Sequence, residues 1–193
     1  MLDDWTLDRL FREARTHAAW TAARVTDEDL RRIWDLARMG PTSANCSPAR
    51  VLFLRSAEAK ARLSPHLSPG NVAKTMAAPV TAVIGHDTAF YDFLPRLFPQ
   101  VAARDWFADN PALADVTAFR NGTLQAGYFI IACRAVGLDA GPMSGFDNEG
   151  VDREFFAGTT VRSNLLVNIG VGDAARLYPR NPRLSFDEAC KVL

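Results

Sequence analysis

Residues 40–50 read Gly-Pro-Thr-Ser-Ala-Asn-Cys-Ser-Pro-Ala-Arg. Pro41 and Pro48 bracket the core of this stretch. Each fixes its own φ and pushes the residue before it toward extended backbone. Between them Thr42, Ser43, Asn45 and Ser47 offer short donor and acceptor side chains. A stiff, polar loop of this kind can read the edge of a flat, hydrogen-bonding ligand. Taken alone it fits an ordinary helix-to-strand connection at least as well, because Ser, Asn and Pro dominate loops. Cys46 lies inside it. A nucleophilic thiol is one reading, but no His or Lys flanks it to lower its pKa, and a small buried filler fits better.

Upstream, Thr26 to Arg38 has the pattern of an amphipathic helix. Thr26 can cap it, Asp27, Glu28 and Asp29 suit its positive end, and Leu30, Ile33, Trp34 and Ala37 share one face. Residues 3–14 also place apolar side chains at helical spacing, and Arg15-Thr16-His17 follow. A guanidinium beside a hydroxyl suits a phosphate, because the planar fork engages two oxygens at once. A solvated loop explains the same three residues.

Downstream, residues 50–55 read as a short strand, and Ser56 caps a helix to about Leu63. A turn-rich link follows, then a short helix carrying Asn71 and Lys74. Pro79 to Gly85 is a β-branched apolar run, expected to be a central strand. Residues 87–111 are irregular and aromatic, expected either to cover a pocket or to pack on a second subunit. Asp87 and Asp92 read there as exposed loop carboxylates. Ala112 to Val136 predicts a long helix whose second half, apolar nearly all round, is buried between its own sheet and a second subunit. Gly137 ends it. Leu138 to Ala140 is an added strand, and Gly145 lets the backbone after it approach a ligand closely. Val151 to Phe156 is a short helix, Asn164 to Val171 a buried strand, and Ser185 caps a last helix over residues 186–192. Short strands among more numerous helices predict an α+β fold, with helices on both faces of a mixed sheet and residues 1–193 as a single domain.

Composition narrows the function. The 193 residues carry no net formal charge and no basic stripe, which argues against a nucleic-acid partner. No segment has the length of a membrane span, and the N-terminus lacks the order of a signal peptide, so a cytoplasmic protein is expected. Cys46, Cys133 and Cys190 lie far apart and form no CxxC pair. His17, His66 and His86 have no metal-binding spacing. Neither a GxSxG elbow, a GKS/T phosphate loop nor a GxGxxG turn occurs. A cofactor that carries the chemistry itself is consistent with these absences.

The segments, in this order and at this spacing, resemble the nitroreductase family of FMN-dependent oxidoreductases. Residues 41–48 are similar to that family's Pro-Ser-Ser-x-Asn-x-Gln-Pro, residues 15–17 to its N-terminal phosphate-binding stretch, Asn71 to Lys74 to its Asn-x-x-Lys, and residues 141–147 to its Pro-x-x-Gly-Phe-Asp loop. The resemblance implies a three-layer fold and an intertwined homodimer with FMN at the interface, reduced by NADPH or NADH. It implies Arg15, Thr16, His17, Arg180 and Arg183 at the phosphate, and Thr42, Ser43 and Asn45 at the ring, from the other subunit. Asn71 and Lys74 would lie at the pyrimidine edge, with Ser144 and Gly145 near N5. No catalytic side chain is implied, because the flavin carries the hydride. Ala18 stands where many members carry Lys or Arg, which leaves Lys74 as the candidate charge. Residues 40–50, 87–92 and 141–148 resemble in particular the branch that reduces malonic semialdehyde (3-oxopropanoate) to 3-hydroxypropanoate in pyrimidine utilisation. Arg104 and Arg120 are candidates for that substrate's carboxylate. A broader nitroreductase or quinone reductase, and a flavin-binding scaffold without turnover, are the alternatives.

Overall fold

The computed structural model describes residues 1–193. Its elements in chain order are α1 (Asp4–Leu7), α2 (Asp27–Ala37), β1 (Ala49–Leu54), α3 (Ala57–Leu63), α4 (Pro69–Ala77), β2 (Val80–Asp87), α5 (Leu94–Leu97), α6 (Asp105–Ala108), α7 (Pro111–Ala135), β3 (Asp139–Met143), α8 (Asn148–Phe155), β4 (Val161–Gly170) and α9 (Phe186–Ala189). The local causes are visible. A reciprocal capping box starts α2: the Asp29 N–H donates to Thr26 Oγ1 at 3.1 Å, and the Thr26 N–H donates to Asp29 Oδ2 at 2.9 Å. Asn110 caps α7 by accepting from the Leu113 N–H, with Pro111 in the first turn. Gly137, at φ 91°, ends that helix, and the Leu138 N–H closes back onto the Cys133 carbonyl.

The strands form one sheet in the order β1-β2-β4-β3, and every neighbouring pair is antiparallel. The mixed sheet expected from the sequence thus narrows to a single isolated parallel bridge, between Thr16 and Ala140. Only the N-terminal segment runs alongside an edge strand in the same direction. All eight residues of β2 are buried, which accounts for its largely apolar first half, Val80 to Ile84.

Two core clusters lie on opposite faces of the sheet. On one face, Leu30 and Ile33 of α2 and Phe129 and Cys133 of α7 pack on Val80, Ala82, Ile84, Val167 and Ile169. On the other, Leu63 of α3 and Val151 of α8 pack on Val83 and Leu166. Fully burying one such side chain contributes about 1.5–3 kcal/mol. A third, smaller cluster joins Phe90, Leu94 and Phe107 to Cys46 and to Ala114 and Ala118 of α7. The aromatic stretch after β2 therefore has its own core and sits on the loop that precedes β1.

Two expectations change, those for Asp87 and for the last helix. Asp87 is buried, because Arg50 reaches it at 2.6 Å and the Thr160 hydroxyl donates to it at 2.6 Å. The outward side of α7 carries exposed Val116, Phe119 and Leu124, so within this chain the helix is covered on one side only. The last helix spans only Phe186–Ala189, and residues 178–193 are exposed throughout.

Candidate functional site

The two ends of the chain meet in a cleft of about 740 Å³. The N-terminal segment follows the outer edge of β3, where the His17 N–H donates to the Ala140 carbonyl. The C-terminal segment crosses it. Arg15 donates to the Tyr178 carbonyl at 2.5 Å, and Arg180 donates to the Ala14 carbonyl at 3.1 Å. Arg12, Arg15, Arg134, Arg176, Arg180 and Arg183 line the cleft with Thr16, and no carboxylate does. Arg12 is neutralised by Asp4 at 2.7 Å and Asp8 at 2.6 Å. The other five guanidiniums have no carboxylate within ion-pair distance. Arg134 comes from α7, 116 residues beyond Ala18 in sequence, and lines the same cleft as Ala18. Its pKa is lowered by burial, and its Nε has no partner. Five uncompensated forks beside a hydroxyl make an anion site, and a phosphate monoester fits it.

His17 is not part of this lining. Thr16 and Ala18 line the cleft, and His17 between them turns inward. The His17 ring is buried, 3.9 Å from Asp139 Oδ2 and against Gly172, where a Cβ would overlap it.

A second group lies beyond the end of β3. Asn71 Nδ2 donates to the Gly145 carbonyl at 2.7 Å, and the Ser68 N–H donates to the same oxygen at 3.1 Å. A Cβ on Gly145 would come within 2.8 Å of Asn71 Nδ2. A side chain at that position would therefore displace the Asn71 amide from its hydrogen bond. Ser144 is exposed and Lys74 half-buried. The Lys74 carbonyl accepts from the Trp20 indole N–H, and Trp20 in turn bridges to Gly172, which ties this group to the N-terminal segment.

The loop of residues 41–48 is the third group, and it leads into the opposite edge strand. By register, Ala49 aligns with His86 and Arg162, whereas Ala140 aligns with Ile169. Loop and cleft thus occupy diagonal corners of the sheet, roughly 25 Å apart on ordinary strand spacing and rise. Thr42, Ser43 and Asn45 are not brought to Arg15 within one chain. The loop is also strained: Ala44 (φ 49°), Asn45 (φ 51°) and Ser47 (φ 39°) are left-handed without being glycine. Buried amides of α7 hold it there. Asn121 Oδ1 accepts from the Ser43 N–H and Gln125 Oε1 from the Ala49 N–H, each at 2.9 Å. The Tyr128 hydroxyl donates to the Pro41 carbonyl, and Asn45 Nδ2 donates to the Leu97 carbonyl of the aromatic cover. Burial pushes the Cys46 thiol up to about 11, which makes it an inert filler.

Sequence reasoning missed Arg134, Arg176, Asn121 and Gln125. A signal existed for two of them: Asn121 and Gln125 are amides four residues apart and so share one face of α7.

The nitroreductase family model matches residues 12–172. A Burkholderia lata protein provisionally named as an NADH dehydrogenase/NAD(P)H nitroreductase is 60% identical over 191 residues, spanning 99% of this chain and 98% of its own. The chain belongs to the nitroreductase family. Solved structures agree on the nitroreductase fold. One is a provisionally named nitroreductase from Exiguobacterium sibiricum in complex with FMN, with a TM-score of 0.86, 21% identity and coverage of 100% of this chain and 99% of that one. Another, provisionally named as an NAD(P)H:FMN oxidoreductase from Staphylococcus epidermidis, has a TM-score of 0.86 at 16% identity, covering 100% and 97%. No helix of this nitroreductase is long and apolar enough to cross a membrane. Of the two arginines considered for a substrate carboxylate, Arg104 is bound to Asp92 at 3.0 Å and lies over Tyr91. Arg120 is exposed on α7 and has no salt bridge.

Proposed function

We propose that this nitroreductase binds FMN and uses NADPH or NADH to reduce malonic semialdehyde to 3-hydroxypropanoate, as a homodimer. The observation that carries the cofactor reading is the cleft: five guanidiniums and Thr16 around a space free of carboxylates. Bound there, FMN would supply hydride transfer between the dinucleotide and the aldehyde. Arg15, Arg180 and Arg183 would hold the phosphate, with Arg134 in place of the basic residue missing at Ala18. Lys74 would bring positive charge to the pyrimidine edge, and charge at that edge favours the reduced ring. Ser43 and Asn45 would reach the ring of the site on the second subunit.

The dimer reading is supported by geometry. Loop and cleft stand at opposite corners, so one chain alone does not assemble the three groups. The outward side of α7 and the exposed tail with Leu184, Phe186 and Val192 leave apolar surface for a second copy. The intertwined form follows if that tail crosses to the partner. The aldehyde is supported by the likeness of residues 40–50, 87–92 and 141–148 to the semialdehyde-reducing branch. The name of the Burkholderia lata relative favours a second reading, a broader NAD(P)H nitroreductase.

The deciding experiment is a visible spectrum of the purified protein, before and after NADPH without oxygen. A yellow protein that bleaches, and recovers colour with malonic semialdehyde, is expected. Recovery only with nitroaromatics or quinones would favour the second reading. A colourless protein that takes up no FMN would leave a scaffold without turnover.

A further inference from the structure

The cleft holds more positive charge than one phosphate needs. Arg15, Arg134, Arg176, Arg180 and Arg183 face it with no carboxylate among them. A phosphate monoester brings about −1.5 to −2 at neutral pH, so about three charges stay unmatched when FMN alone is bound. Like charges gathered in one cleft repel one another, and a second anion relieves that repulsion. The size points the same way. A cleft of about 740 Å³ is large enough for a whole ligand, far beyond the end of a ribityl phosphate.

The guanidiniums are not equivalent. Arg15 and Arg180 lace the two chain ends together through backbone carbonyls. Arg134 donates to the Leu10 carbonyl from the cleft wall, and Arg183 donates to Asn181 and Pro182. Arg176 stands apart. It is exposed at the rim, on the turn Ala174–Arg176, and its side chain makes no hydrogen bond or ion pair. That turn is fixed from behind, because Asp173 Oδ1 accepts from the Ala175 N–H at 3.0 Å. A free fork on a fixed rim meets the terminal group of a ligand, and a monoester there offers three acceptor oxygens.

We propose that the cleft takes a second phosphate, the adenosine 2′-phosphate of the nicotinamide donor, and that Arg176 is the residue that selects NADPH over NADH. This rests on the FMN reading above. The donor enters with its nicotinamide toward the flavin and its adenosine end in the cleft, then leaves before the aldehyde arrives.

Calorimetry on the FMN-loaded protein tests it, with 2′,5′-ADP and 5′-AMP as probes, on the wild type and on Arg176→Gln. The wild type is expected to bind 2′,5′-ADP about tenfold or more tighter than 5′-AMP, the worth of one charge-assisted contact. Arg176→Gln should lose about tenfold for 2′,5′-ADP and nothing for 5′-AMP. It should lower kcat/KM for NADPH by a similar factor, leave that for NADH unchanged, and keep its flavin. Equal affinity for the two probes overturns the proposal. So does an Arg176→Gln variant with unchanged NADPH kinetics, or one in which NADH and NADPH suffer alike; the last would move the contact to the pyrophosphate. Protein that holds no flavin overturns the parent reading as well, and its spectrum tells that failure from this one.

Discussion

The loop of residues 41–48 and the arginine cleft occupy opposite corners of one sheet and are built on opposite terms. The loop is uncharged and strained, and it is fixed from behind by buried amides of α7 and by the ion pair of Arg50 with Asp87. The cleft is charged and exposed, and backbone carbonyls hold its side chains. A group that reads a flat edge by hydrogen bonds needs fixed direction, and direction comes from buried, satisfied contacts. A group that attracts a phosphate needs field, and field tolerates motion. The loop therefore draws on the protein's stability, while the cleft is nearly independent of it.

The comparison can be broken in several ways. Asp87→Ala should have the largest effect. It leaves the Arg50 guanidinium, about a third exposed, without its partner beneath the loop. A loss of about 2–4 kcal/mol is expected in urea unfolding, below the full buried-pair figure because Arg50 keeps some water. Asn121→Leu comes next. It removes the acceptor of the part-buried Ser43 N–H at a cost of about 0.5–1.5 kcal/mol, and amide exchange at Ser43 should speed up in proportion.

Acid should weaken the loop corner before the cleft. His86 pairs with Ala49 across the sheet, and burial, followed by the charge of Arg162, lowers its pKa, against smaller opposing effects of Asp115, Asp152 and Asp87. A base whose folded value is depressed binds fewer protons folded than unfolded. Stability is then full above its ordinary value near 6.5 and falls as the pH drops below it. His86→Gln should flatten that part of the stability profile. In the cleft, Arg15→Gln should leave Tm unchanged while weakening FMN about tenfold, with a steeper response to salt in the wild type. Equal damage to Tm would erase the contrast drawn here. The smallest effect is expected of Ala44→Gly. Relief at φ 49° and the added freedom of the unfolded chain nearly cancel, so stability should stay within about 0.5 kcal/mol. A loss well above that would show that Ala44 carries a contact and not strain.

Much of this fold was legible because its causes are local. The Thr26 cap, the amphipathic run after it, the apolar β2 and the length of α7 are all written within a few residues. What was not legible depends on partners distant in sequence. Asp87 reads as an exposed loop acid until Arg50, 37 residues earlier, is brought beside it. The antiparallel order of the sheet is likewise set by long-range pairing. In the candidate site, Arg15, Thr16, Arg180 and Arg183 do converge as expected. His17 does not, because its ring is buried against Gly172 instead. Arg134 was hidden in a helix whose interest seemed only apolar.

The order β1-β2-β4-β3 also bears on how the molecule comes to exist. The central ladder joins Val80 to Ile169, 89 residues apart, with α7 and β3 lying between them along the chain. Closing so long a loop precedes any reward from the core it completes. During synthesis, β1 and β2 can pair early, but their neighbour emerges only with the last fifth of the chain. Until then β2, which the finished fold buries on both faces, has one bare edge. The nascent chain is therefore most in need of a chaperone after β2 has left the ribosome and before β4 has, and truncations that remove β4 should aggregate instead of folding in part.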